Sequence, residues 1–131
     1  MIQVRLAVLM WLGVVAASLV LAQASGIATQ PGEPVRGKLV FEKRCTGCHA
    51  LNQDREGPHL AGAYGRTAGS VSGFDYSDAL KASHVVWDQG TLERWLTDPQ
   101  TMLPGVNMDF YVANPQERAD VIAFLKQQSK K

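Results

Sequence analysis

Leu6 to Ala22 is an almost wholly apolar run of 17 residues, broken by Ser18 and preceded by a short start whose one charge is Arg5. It falls short of the roughly 20 apolar residues that span a bilayer. Ala22-Gln23-Ala24 follows it. A basic start, an apolar middle and an A-x-A end have the pattern of a secretory signal peptide, residues 1–24, cut after Ala24. The rival reading is an uncleaved membrane anchor. Residues 25–33 are small and polar with Gly and Pro, a flexible leader. Residues 34–131 are the folded domain.

Within that domain the apolar positions fall at helical spacing. Pro34 suits the first turn of a helix over about Pro34 to Arg44. Val40, Phe41 and Arg44 lie close together on it, and Gly37 leaves a small spot for a close neighbour. Ala50 to Ser72 is rich in Gly and polar residues and is expected to be loop. A short helix is expected after Tyr76, capped by Ser77. Asp88 caps a helix over Gln89 to Thr97 with Leu92, Trp95 and Leu96 as its buried stripe. Pro99 should stop it, with Thr101 to Ala113 a loop. Asn114, Pro115 and Glu117 spell a capping box for a last helix with Val121, Ile122, Phe124 and Leu125 buried. Lys126, Lys130 and Lys131 suit its solvated C-terminal end. No alternating stretch is long enough for a sheet, so the fold class is all-α.

Composition narrows the class. The 131 residues are 46% hydrophobic and 19% charged, which suits one folded domain rather than a disordered or polytopic chain. Thirteen basic residues face twelve acidic ones, and loss of Arg5 with the signal peptide leaves them equal. A nucleic-acid partner would require a clear positive excess.

Both cysteines lie in Cys45-Thr46-Gly47-Cys48-His49, the C-x-x-C-H signature of a c-type haem. Two thiols three residues apart on one helical turn reach the two vinyl groups of one porphyrin. The next histidine then sits beneath the iron. A zinc site would need a second ligand pair. A thioredoxin-type dithiol would need a βαβ context, and a disulfide across two residues would be strained. Met108 is the candidate for the sixth ligand. It follows Pro104-Gly105, a turn able to press the chain onto a cofactor face. Its rival reading is core filling.

At this point the chain resembles a class I cytochrome c, the family of mitochondrial cytochrome c and the bacterial cytochromes c2. The likeness runs from about Gly37 to Leu125. It rests on Gly37…Phe41, Cys45-x-x-Cys48-His49, Gly57-Pro58-x-Leu60-x-Gly62-x-x-Gly65-Arg66, Gly73-Phe74-x-Tyr76-Ser77-Asp78-Ala79, Trp87, Leu92…Leu96, Pro99, Pro104-Gly105-x-x-Met108 and Phe124-Leu125. The resemblance implies the small cytochrome c fold, helices and long loops wrapped around one covalently bound haem c. It implies His49 as proximal and Met108 as distal iron ligand, with the Pro58 carbonyl accepting from His49. It implies Arg66, Tyr76 and Trp87 as donors to a haem propionate, and Gly37 and Phe41 packed on Phe124. The implied function is a periplasmic electron carrier cycling Fe(II)/Fe(III), not an enzyme, with membrane or periplasmic redox proteins as donor and acceptor. A haem enzyme or gas binder, and a haem subunit of a larger complex, are the other classes to weigh.

The departures from that family carry information too. Leu80, Trp95 and Val106 stand where mitochondrial members have Asn, Tyr and Thr, which implies a drier haem crevice and a raised reduction potential. Leu39, Gln100, Thr101 and Asn107 stand where docking lysines are usual, while Arg44 keeps one charge. The implied docking face is apolar or weakly charged. Ala50 to Glu56 is shorter than in mitochondrial members. His59 and His84 are expected at the surface, Trp95 in the core, and Met102 in a bland packing role.

The N-terminal pattern has a direct test. The intact mass of protein secreted by its own host should correspond to a chain beginning at Ser25; a mature chain beginning at Met1 would show that the segment is retained.

Overall fold

The computed structural model describes residues 29–130, so the segment read as signal peptide or anchor lies outside the described residues. Among the described residues five helices follow one another: α1 (Pro34–Arg44), α2 (Asp78–Lys81), α3 (Gln89–Thr97), α4 (Pro99–Met102) and α5 (Pro115–Gln128). Among the described residues there is no strand, only an isolated bridge between Thr67 and Val86. None of the described helices is long and apolar enough to cross a membrane.

Side chains start each helix. The Glu33 carboxylate accepts from the backbone N–H groups of Val35 and Arg36, both at 2.9 Å. Ser77 caps α2 through the Leu80 N–H. Asp88 and Thr91 form a reciprocal capping box on α3. Asn114 accepts from the N–H groups of Gln116 and Glu117. Only half of the capping box expected on α5 is present, because the Glu117 carboxylate turns away and pairs with Arg44 at 2.7 Å.

Pro99 does not simply end the third helix. Asp98 breaks the backbone at φ −164° and ψ 96°, and Pro99 then opens α4 as its first residue. Proline fits there because the first helical N–H has no partner in any case. The loop expected over Thr101 to Ala113 therefore begins only after Met102.

The core forms where α1 crosses α5 and α3 packs on both α5 and α4. Val112, Val121 and Ile122 are fully buried; such burial contributes roughly 1.5–3 kcal/mol per side chain. The crossing of α1 and α5 is close because Gly37 has no side chain. A Cβ there would lie 2.8 Å from the Phe124 Cβ and collide with the Asp120 carbonyl. Beside it the Phe41 and Phe124 rings pack with centroids 5.4 Å apart.

The end of the stretch read as flexible leader is tied to α5. Gln30 N–H donates to Gln116 Oε1 at 2.7 Å, and Gln116 Nε2 donates back to the Gln30 carbonyl at 3.2 Å. Glu33 N–H donates to Asp120 Oδ1 at 2.8 Å. Asp120 is buried. It also accepts from Arg36 Nε and Nη2, each at 2.9 Å, and from Gln116 Nε2 at 3.0 Å. Single-residue polarity gave no sign of these contacts, because their partners lie more than 80 residues away in the sequence.

The Arg36 hydrogen bond, more than any other contact, holds the Asp120 carboxyl below its ordinary value, against the opposing effect of burial. A carboxylate with a lowered folded pKa adds stability that is complete above its unfolded value and is lost as pH falls through the folded one. Asp120→Asn should therefore cost about 2 kcal/mol at neutral pH, and its deficit should shrink below the carboxylate range. Urea unfolding at pH 7 and near pH 3 checks this; an equal deficit at both would remove Asp120 as the source.

Candidate functional site

The C-x-x-C-H turn hangs from the C-terminal end of α1. Cys45 N–H still bonds the Phe41 carbonyl at 2.8 Å, continuing the helix, and His49 N–H bonds the Cys45 carbonyl at 2.9 Å. Thr46 Oγ1 donates to the Glu42 carbonyl at 2.8 Å. The two sulfurs and the imidazole thus emerge from one turn fixed by the core helix. Burial pushes the Cys45 thiol up to about 11. Cys48 is exposed.

The His49 imidazole is oriented from behind. Its Nδ1 lies 2.8 Å from the Pro58 carbonyl. That contact requires the proton on Nδ1 and leaves Nε2 with a free lone pair. Burial pushes the imidazole below its ordinary value and the Pro58 carbonyl works in the other direction. The neutral form is the one that binds a metal. Gly57 makes room for the ring: a Cβ there would fall 2.6 Å from Nδ1 and 2.7 Å from Nε2. Gly57 N–H bonds the Cys48 carbonyl, and Leu60 N–H bonds that of Ala50, so the Pro58 carbonyl is held by backbone on both sides.

Met108 is half-buried on the loop after α4. Trp95 Nε1 donates to its Sδ at 3.1 Å. The Trp95 ring packs on Trp87 with centroids 5.1 Å apart. Trp87 is buried. Its indole N–H has no acceptor among the described residues. Tyr76 is buried with its ring edge-on to Phe74 at 4.7 Å. Arg66 Nη2 donates to the His59 carbonyl at 2.8 Å and Nη1 to the Ala61 carbonyl at 3.3 Å. Its guanidinium braces the loop that follows Pro58. His59 sits at the rim with Nδ1 2.7 Å from Asp54 Oδ1, and His84 is exposed.

Three roles escaped sequence reasoning. Gly57 belonged to a motif but had no assigned purpose. Gln100 registered only as a missing charge, although its amide bonds the loop carrying Met108. Trp95 counted as an apolar replacement for Tyr, although its N–H meets the Met108 sulfur. The indole N–H was the available signal, since a buried tryptophan usually finds an acceptor for it.

Two thiols and an oriented neutral imidazole on one turn suit a covalently held haem. They define a small monohaem electron-transfer protein. Comparison with known proteins agrees. The Cytochrome c family model matches residues 34–129. Cytochrome c of Ulva intestinalis is 41% identical over 100 residues, 73% of this chain and 90% of that protein. Cytochrome c2 of Rhodomicrobium vannielii is 44% identical over 108 residues, 79% of this chain and 86% of the relative. The solved cytochrome cH from Methylobacterium extorquens superposes with a TM-score of 0.70 at 38% identity, covering 73% of this chain and 99% of that one. The chain belongs to the cytochrome c family, as a class I member carrying one covalent haem c with iron.

The Trp95 contact separates two influences on potential. With Met108 as an iron ligand, a donor to its thioether sulfur would draw electron density from it and disfavour the ferric state. Trp95→Phe keeps the apolar body and removes the donor, so the reduction potential should fall by about 40 mV if one hydrogen bond of about 1 kcal/mol differs between oxidation states. Leu80→Asn should also lower it, by adding polarity to the crevice. Spectroelectrochemical titration of both variants is the check, and an unchanged or higher potential in either would refute the effect assigned to that residue.

Proposed function

We propose that this chain is an exported, periplasmic one-electron carrier whose iron is bound by His49 and Met108, working between membrane or periplasmic redox proteins and not as an enzyme. When bound, the haem supplies the Fe(II)/Fe(III) couple. Cys45 and Cys48 would hold it by thioethers. Pro58 would fix His49, and Arg66, Tyr76 and Trp87 would donate to a propionate. The observation that carries the reading is that both axial candidates are already oriented by this chain, His49 through Pro58 and Met108 through Trp95. Two protein ligands leave no open iron position for a substrate, and Met/His ligation gives a high potential. Residues 1–24 supply the export signal; if retained, they would tether the same domain to the membrane.

The surface supports weak steering of partners. Leu39, Phe110 and Tyr111 are exposed, and Gln100, Thr101 and Asn107 carry no charge. Arg44, the one charge kept from the docking ring, is paired with Glu117 at 2.7 Å. Charges arranged for long-range steering would be left facing solvent instead.

A redox-poised visible spectrum tests the ligation. The ferric protein should show the weak red-edge band of a methionine–iron bond, and the ferrous protein should refuse carbon monoxide. Loss of the band together with ready carbon monoxide binding would favour a gas-binding or catalytic haem instead. Exchange with a redox partner should change by no more than about threefold between low and physiological ionic strength; a steep dependence would contradict the weakly charged face.

A further inference from the structure

The loop that carries Met108 is held in an unusual way. It is fixed at its start, where Asp98 caps α4 by accepting from Thr101 N–H at 2.9 Å and Thr101 Oγ1 at 2.7 Å. At its end Val112 N–H bonds the Leu96 carbonyl at 2.8 Å, and Arg118 Nη1 donates to the Val112 carbonyl at 2.7 Å. Between these points, from Pro104 to Tyr111, the backbone makes no backbone–backbone hydrogen bond among the described residues. Its polar ties come from two side chains. Trp95 reaches the Met108 sulfur. Gln100 Nε2 donates to the Val106 carbonyl at 2.8 Å and to the Met108 carbonyl at 3.2 Å.

We propose that Gln100 is a positioning residue for the sixth ligand: its side-chain amide clamps the Met108 loop and sets how readily the sulfur leaves the iron. The proposal rests on the reading of Met108 as ligand. The chemistry of the amide fits the task, since two N–H donors on one nitrogen match two carbonyl acceptors on alternate residues. The base of the clamp is firm. Gln100 sits in α4, which Pro99 and the Asp98 cap begin and which packs on α3. The clamp bridges the turn at Gly105, whose φ of +91° lets the chain double back within reach of α4. To move its sulfur off the iron, Met108 has to carry its own carbonyl away from this amide. Loss of that hydrogen bond should ease displacement of Met108 about tenfold, which corresponds to about 1.4 kcal/mol, within the net range of a single hydrogen bond.

The test uses the ferric holoprotein and exogenous imidazole, which replaces a departing sixth ligand and bleaches the red-edge band. Gln100→Met keeps the length and removes the donors. Gln100→Glu keeps the shape and sets an oxygen against two carbonyls. Both should retain the band without imidazole and bind imidazole about tenfold more tightly than the parent, with a faster on-rate, while the urea midpoint of global unfolding stays close to that of the parent. Affinity within twofold of the parent in both variants overturns the clamp, as does a gain in affinity matched by an equivalent loss of global stability. If the parent lacks the band, ligation by Met108 falls and the clamp falls with it. If the parent has the band and the variants bind imidazole no better, only the clamp is lost.

Discussion

At Gly37 the backbone of α1 lies against the Asp120 carbonyl and 2.8 Å, counted from the missing Cβ position, from the Phe124 Cβ. The geometry of the haem-binding turn follows from that crossing. α1 is pinned at both ends to the same partner helix: Arg36 and the Glu33 N–H meet Asp120 at its start, and Arg44 meets Glu117 at its end. Cys45 comes next in the chain after Arg44. The helix therefore delivers the two thiols and His49 from a rigid support, and a side chain at position 37 would push that support away from the core. The closeness of the backbones also lets the Phe41 and Phe124 rings interlock beside the glycine.

The two proposed iron ligands are held on different principles. On the His49 side the ligand lies one residue from a haem-attaching cysteine, and its Nδ1 partner is a backbone carbonyl held by neighbouring backbone bonds. On the Met108 side the candidate ligand is about 60 residues further along, in a stretch without a backbone ladder. Its position depends on side chains from α3 and α4. Local opening is least costly where few backbone bonds and few buried contacts must break. The Met108 loop meets that description better than the His49 turn, and the difference is set by topology before any axial bond forms.

The elements legible in the sequence were those whose signals are local. Asp88, Ser77 and Asn114 marked helix starts because a cap acts on the next two or three N–H groups. The C-x-x-C-H turn was legible because its spacing is the chemistry. What stayed hidden depended on long-range partners. Glu117 fitted a capping box, yet a better partner, Arg44, waited on another helix. Pro99 looked like a stop because proline ends the helix before it, but the same residue opens the next one. Residues 30–33 were polar enough to suggest a free leader, and only the fold shows α5 offering Gln116 and Asp120 as partners. The bonds of Arg66 to the carbonyls of His59 and Ala61 were not legible from its residue type either.

The substitutions that distinguish this chain from its mitochondrial relatives are physically linked. Leu80 and Val106 would make the proposed haem crevice less polar, but Trp95 does not act in the same way. Its ring fills space against Trp87 while its N–H supplies a polar contact to the Met108 sulfur. An amphipathic side chain can thus exclude water and still polarise a ligand. Gln100 works similarly on the outside. A lysine at that position would keep its ammonium in water, where it could meet an acidic partner. The neutral amide turns inward and satisfies the Val106 and Met108 carbonyls, which have no other partner among the described residues. Giving up a docking charge and gaining a hold on the ligand loop are therefore consequences of one residue. On the proposed reading, a carrier built this way would rely less on electrostatic attraction to find its partner and more on a fixed ligand loop to keep its potential constant during the encounter.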